Sequence, residues 1–182
     1  MSRTTIRHAV LGMLTFRPMT GYEIRQAYQR GPANFMPVSF GQIYPVLATL
    51  KKENLVRQQK QPGGRGSIRY LITAKGNEAL RSWLFSAGDP GDHRQLLLRL
   101  FFASPSDLPG LRDHVEAYRR AEEVVLKHYD QTRKWLDEVH GGNPRLPIWK
   151  LVMEYGVLES HYKVRWAEQA LTVMTGPKRS SK

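Results

Sequence analysis

The chain has 182 residues, of which 41% are hydrophobic, 24% charged and 10% aromatic, and a formal net charge of +12 at pH 7. This mixture folds rather than staying disordered, and the length supports one substantial core or two small ones, not a large multidomain enzyme. With no cysteine in the sequence, a disulfide framework, a thiolate zinc site and a cysteine nucleophile are excluded, which fits a reducing cytoplasmic setting. The charge is lopsided: residues 1–86 hold 13 Lys and Arg against three acids (Glu23, Glu53 and Glu78), a balance of +10, whereas residues 87–182 hold 15 against 13. A first half this basic points to a polyanion, nucleic acid being the commonest, with a solvated basic surface as the plain alternative. No apolar run reaches the ~18 to 20 residues that span a bilayer, since Arg99 interrupts even the stretch 96–103.

In chain order, Ile6, Ala9, Val10, Met13 and Leu14 share one helix face, and Arg17-Pro18 stops the helix. Arg3 and Arg7 ahead of this apolar run imitate a secretory signal, but no small-x-small cleavage site comes after it, so a helix of the mature protein is expected. Thr20 and Glu23 have capping-box spacing for a second helix, with Ile24, Ala27 and Tyr28 on its apolar side and Gly31-Pro32 at its end. Ser39 and Gln42 repeat the capping-box spacing before a third helix lined by Ile43, Leu47 and Leu50. Pro45 loses a backbone hydrogen bond if it lies past the first turn, which moves the expected start two or three residues beyond Ser39. Asn54 falls where that helix should end in a left-handed residue.

From Leu55 the apolar period changes from 3.6 to 2, predicting strands at 55–59 and 67–73 around the turn Pro62-Gly63-Gly64-Arg65-Gly66. Thr73 precedes a helix carrying Ala79, Leu80, Trp83 and Leu84, and the Gly- and Pro-bearing stretch 86–91 marks a domain boundary. Beyond it the pattern is helical only. A short helix near 95–103 is followed by a long one whose seam is Leu111, Val115, Tyr118, Glu122, Val125, Tyr129, Thr132, Leu136 and Val139, spaced as in coiled coils. A last helix over about 147–175 carries the stripe Leu151, Val152, Tyr155, Leu158, Tyr162, Trp166 and Val173. The prediction is a mainly α fold with a small β-hairpin: a winged helix-turn-helix DNA-binding domain at 1–86, an all-α dimerisation and effector-sensing domain at 87–175, and a frayed tail at 176–182.

DNA reading explains the first half. A helix entering a major groove about 12 Å wide needs lean or polar outward side chains, and opposite Ile43, Leu47 and Leu50 lie Gly41, Pro45, Ala48, Thr49 and Lys52, with Gln42 at the edge. Glycines at a wing tip allow close approach to phosphates while Arg65 and Arg69 supply charge. A nucleotide-binding loop does not fit, because this turn leads into a strand rather than a helix. An ordinary solvated helix face and a plain hairpin turn remain the alternative readings.

These residues resemble the PadR-type transcriptional regulators. The resemblance is carried by Thr20-Gly21-Tyr22-Glu23-Ile24, by Gly41-Gln42-Ile43-Tyr44-Pro45-Val46-Leu47 with Leu50, by Glu53-Asn54-Leu55-Val56, and by Gly64-Arg65, Arg69-Tyr70 and Thr73-Ala74-Lys75-Gly76. The second half is similar to the longer helical C-terminal domain of one PadR subgroup, through Leu98-Arg99-Leu100-Phe101-Phe102 and the final helix near Trp166 and Leu171. The chain departs from the family pattern at Lys51 and Asn54, where Glu and Gly are common. The resemblance implies a ligand-responsive regulator, usually a repressor, acting as a homodimer on a palindromic operator in double-stranded DNA. It places Gln42, Tyr44, Pro45 and Thr49 in the groove, with the Tyr44 hydroxyl on a phosphate. Ser39 and Lys52 join them on helix three, and Arg65, Gly66 and Arg69 form the wing contacts. Tyr22 is expected to pack or to touch backbone phosphate.

In the last helix Tyr155, Glu159, Tyr162 and Trp166 share a side, with Trp149 nearby. They could line a pocket for a small aromatic or cationic effector. The same pattern equally suits core or dimer packing, with Glu159 pairing an Arg across it and Glu122 setting register in the other seam. None of His8, His93, His114, His128, His140 and His161 has another histidine at i+3 or i+4, so no metal edge, cofactor or enzymatic motif is expected and the histidines read as lone surface residues. The competing function is a dimeric protein–protein interaction module built on the winged-helix domain.

Overall fold

The computed structural model describes residues 3–36, 40–60 and 68–175. The chain divides into two compact units, Met1–Ala87 with Arg94–Ser106, and Gly88–His93 with Asp107–Lys182.

The first unit contains α1 (Arg3–Phe16), α2 (Gly21–Arg30), α3 (Ile43–Lys52), β1 (Val56–Lys60), β2 (Ile68–Ile72), α4 (Ala74–Phe85) and α5 (His93–Phe102). Its core gathers the apolar faces of the helices: Ile6, Val10 and Leu14 from α1, Ile24 and Tyr28 from α2, Ile43, Leu47 and Leu50 from α3, and Leu80, Trp83 and Leu84 from α4. The Tyr28 hydroxyl is buried with them and donates to the Met36 carbonyl at 2.6 Å; burial pushes its pKa up to about 12.

β1 and β2 pair antiparallel with Val56 opposite Ile72 and Lys60 opposite Ile68. Met19, in the α1–α2 link, adds a short antiparallel bridge to Tyr70, with N–H to carbonyl bonds of 3.1 and 2.7 Å. This bridge ties the middle of β2 to the entry of α2. α5, read from the sequence with the helical second half, packs on the first unit: a Cβ on Gly12 of α1 would collide with the Phe102 ring. Arg99 is 3% exposed, donates to the Leu84 and Ser86 carbonyls at 3.2 and 2.6 Å, and lies over Trp83 at 5.4 Å. It thereby satisfies the last carbonyls of α4, as a cation at a helix C-terminus does. His8 stacks on the same Trp83 at 4.5 Å and is buried, not a surface histidine.

The second unit is the antiparallel pair α6 (Leu108–His140) and α7 (Leu146–Thr175). Tyr118 meets Trp166 edge-on at 5.9 Å, Gly156 lies against Tyr129, and Arg133 bonds Glu154 at 3.0 Å, so contacts descend α7 as they ascend α6. Leu111, Val115, Tyr118, Glu122 and Leu136 of the expected seam are buried, whereas Val125 and Val139 are exposed. On α7 the buried residues are Leu146, Met153, Ser160 and Ala167. Apart from Trp166, the stripe expected from the sequence therefore points away from α6, because small residues on the opposite side let the two helices approach closely. No helix of the described residues is long and apolar enough to cross a membrane. The expected tail at 176–182 lies outside the described residues.

Candidate nucleic-acid interface

The interface is built on how α2 and α3 meet. Thr20 caps α2 by accepting from the Glu23 N–H at 3.2 Å, while the Glu23 carboxylate accepts from the Thr20 N–H at 2.8 Å, the reciprocal pair that the spacing predicts. That N–H, and then the Arg17 guanidinium at 2.8 Å, hold Glu23 down to a pKa of about 2. Gly21, next along, lies beneath the ring of Tyr44; any Cβ there would strike it. Gly21 thus seats the start of α3 against α2.

α3 begins at Ile43 after a 3-10 turn at Phe40–Gln42. The expected Ser39–Gln42 capping box does not form the helix start: Gln42 is itself the N-cap, in helical conformation and without a side-chain cap bond, and Ser39 lies outside the described residues. Pro45 consequently falls in the first turn, where its missing N–H would have had no helical partner. At the other end Asn54 adopts φ 62°, with its N–H on the Lys51 carbonyl at 3.0 Å and the Leu55 N–H on the Leu50 carbonyl at 2.9 Å. This is a Schellman ending, with Leu50 and Leu55 both buried beside it.

Between these ends α3 buries Ile43, Leu47 and Leu50 and leaves Gln42, Tyr44, Pro45, Ala48, Thr49 and Lys52 exposed. Arg7 of α1 lines a groove of about 430 Å³ along this exposed side, together with Gly41, Gln42, Pro45, Val46 and Thr49. The Arg7 guanidinium also bonds the Glu53 carboxylate, which lowers the pKa of that acid. Sequence reasoning missed Arg7 as part of this surface, because its partner lies 46 residues away and no local pattern links the two.

On the hairpin, Arg69 is half-buried, 3.8 Å from the Glu23 carboxylate; the fold ties it to the α2 cap rather than presenting it free. Arg65 and Gly66 lie outside the described residues. The Lys51 ammonium donates to Gln58 at 2.6 Å, and Gln58 to the Tyr70 hydroxyl at 3.2 Å, joining the end of α3 to both strands. Tyr22 is not packed: it is 60% exposed and accepts from Gln26 at 2.9 Å.

Residues 10–82 match the Transcriptional regulator PadR-like family, and residues 94–175 match Virulence activator alpha C-term. Over residues 10–82 the chain is thus similar to the PadR-like regulators. The family matched by the first half is one of transcriptional regulators. No curated protein matches the chain. Among solved structures, smu.1604c from Streptococcus mutans UA159 is 23% identical with a TM-score of 0.42, over 91% of this chain and 98% of that one. Bacillus subtilis PadR in complex with operator DNA is 19% identical with a TM-score of 0.42, over 93% and 98%. The Vibrio cholerae virulence activator AphA is 18% identical with a TM-score of 0.38, over 93% and 97%. The likeness to known regulators rests on the two family matches, one to each half of the chain.

The five residues expected to form an effector site do not converge. Tyr155 and Tyr162 are 72% and 70% exposed, while Trp166 turns inward onto Tyr118. Trp149 lies beside His140 at 5.5 Å, separated from Trp166 by 17 residues of helix, about 25 Å. Glu159 pairs with Lys163 of its own helix at 2.9 Å, not with an arginine across it. Lys163 also reaches Glu122 at 3.4 Å, so the acid in the α6 seam has a cation facing it from α7. Among the described residues no cluster of three or more metal-capable side chains occurs.

Proposed function

We propose that this PadR-like regulator acts in the cytoplasm as a homodimer, each head reading one half of a palindromic operator, and that a small aromatic effector relieves its repression. The head is the winged-helix domain of residues 1–86. Its groove-reading set is Ser39, Gln42, Tyr44, Pro45, Thr49 and Lys52, and its wing contacts come from Arg65, Gly66 and Arg69. The observation that carries this reading is the exposed face of α3, which is polar or lean along its length while its other face is wholly apolar.

One head covers too few base pairs for useful specificity, and a two-fold dimer reads two half-sites about 34 to 36 Å apart. What supports dimerisation through residues 87–175 is the outward side of α7, where Ile148, Leu151, Val152, Tyr155, Leu158 and Tyr162 are each 61–72% exposed. A row of six large apolar side chains at helical spacing calls for a covering partner. Tyr155, Glu159 and Tyr162 on that side make the dimer contact the place for a flat ligand, whereas Trp166 faces Tyr118 and Trp149 lies beside His140. Ligand and operator then weaken each other by the same factor, as linkage requires.

The test is fluorescence anisotropy of the full chain on duplexes from its own upstream region and on a scrambled duplex, titrated with salt. A preference of ~10³-fold or more for the upstream duplex, above a steep salt dependence, is the expected result. Equal binding to both, or none, would overturn the operator-reading function and favour an interaction module.

A further inference from the structure

Of the three acids of residues 1–86, Glu78 is exposed on α4, and the other two sit close to the α2–α3 surface. Glu23 is absorbed by the α2 cap and by Arg17 and Arg69. Glu53 is different. It stands at the C-terminus of α3, and the spacing 42, 45 or 46, 49, 53 puts it on the same side of the helix as Gln42, Pro45 and Thr49. An acid beside side chains that approach DNA repels the phosphate backbone unless it is neutralised. The Arg7 guanidinium bonds Glu53, and the Lys75 ammonium donates to the Glu53 backbone carbonyl at 3.2 Å.

Arg7 is more than a counter-ion, because it also lines the groove of about 430 Å³ beside Gly41, Gln42, Pro45, Val46 and Thr49. A guanidinium has five N–H donors in a planar fork, and the bond to Glu53 uses a single terminal nitrogen. The fork can be oriented by a carboxylate on one edge and still serve an anion on another. The groove is open to solvent alongside α3, and its remaining lining is small or neutral, so the guanidinium is the cationic feature of that wall.

We propose that Arg7 is a phosphate-contacting residue of the DNA interface, oriented by Glu53 along the groove beside α3. This rests on the reading of α3 as the groove-entering helix. α1 thereby contributes to DNA binding directly, and Glu53 sets how strongly: it holds the guanidinium in place at the cost of placing a negative charge near the backbone.

The two partners give opposite expectations, which a purely structural ion pair does not. Arg7→Ala should weaken binding of the full chain to a labelled scrambled duplex by about tenfold and reduce the slope of log K against log salt by about 1. Glu53→Gln retains a carbonyl acceptor for Arg7 while removing the negative charge, so it should tighten binding several-fold and leave the slope no smaller. Arg7→Gln, which keeps much of the side-chain volume, replaces the alanine variant if the latter unfolds, with circular dichroism checking the fold of each. If Arg7→Ala or Arg7→Gln retains the wild-type slope, or if the Arg7 and Glu53 variants weaken binding alike, Arg7 is a structural ion-pair partner only and the proposal fails. If the wild-type chain itself shows no salt-dependent binding to any duplex, the reading of α3 fails first.

Discussion

Gly76 shows how one residue can carry a junction. It occupies the third position of α4, where its N–H is capped by the Thr73 hydroxyl at 3.0 Å, and a Cβ there would run into the carbonyl oxygen of Leu55. The same Thr73 hydroxyl reaches the Asn54 carbonyl at 2.8 Å, so the end of α3, the exit of β2 and the start of α4 meet in one contact. In an exposed helix, replacing glycine by alanine gains about 1 kcal/mol. Here the backbone carbonyl cannot step aside as a flexible side chain could, and Gly76→Ala is expected to destabilise the chain by roughly 2 kcal/mol instead. Urea unfolding reads the sign directly, and a stabilised variant would show that the contact relaxes freely. Thr73 was visible in the sequence as preceding a helix; the need for glycine at 76 was not, because the atom it avoids belongs to a strand entry 21 positions earlier in the chain.

At the scale of elements, α7 presents two faces that compete for partners, and volume decides between them. Gly156, Ser160 and Ala167 let α6 come close, whereas Tyr155, Leu158 and Tyr162 would hold it off. Hydrophobicity alone favours the aromatic stripe, which is why the sequence pattern singled it out. The α6–α7 seam instead accommodates an acid: Glu122, with its side chain 8% exposed, faces Lys163, 22% exposed. Removing one member of such a pair leaves the other charge poorly solvated. Lys163→Met is expected to cost about 2 kcal/mol, discounted for the partial exposure of the lysine, while Glu122→Leu with Lys163→Met should recover most of that loss. A thermal-unfolding double-mutant cycle measures the coupling, and additive losses would mean the pair contributes no specific register.

Across the whole molecule, the outward stripe of α7 makes a prediction about assembly. Leu151→Glu with Leu158→Glu should convert a dimer to a monomer in sedimentation velocity while helix content stays unchanged. Operator affinity should then fall by about 10²-fold or more, because the second head no longer binds at high effective concentration. A monomeric wild-type chain would remove the basis for two-half-site reading. Much of this molecule was legible locally: the capping box at Thr20 and Glu23, the left-handed Asn54, the change of period at Leu55 and the polar outer face of α3 all depend on residues within a turn or two of one another, and short-range sterics and hydrogen bonding settle them. The resemblance to PadR-like regulators was legible for the same reason, since its motifs are short runs around those turns. Sequence periodicity could not say which side of α7 meets α6, that Arg69 would be drawn to Glu23, that His8 would be buried on Trp83, or that α5 would pack onto the first unit. Nor could it bring Arg7 to Glu53 beside α3. Each of these is a contact between residues far apart in the chain, fixed by which shapes fit and which charges meet once the helices have packed, and only the tertiary structure decides them.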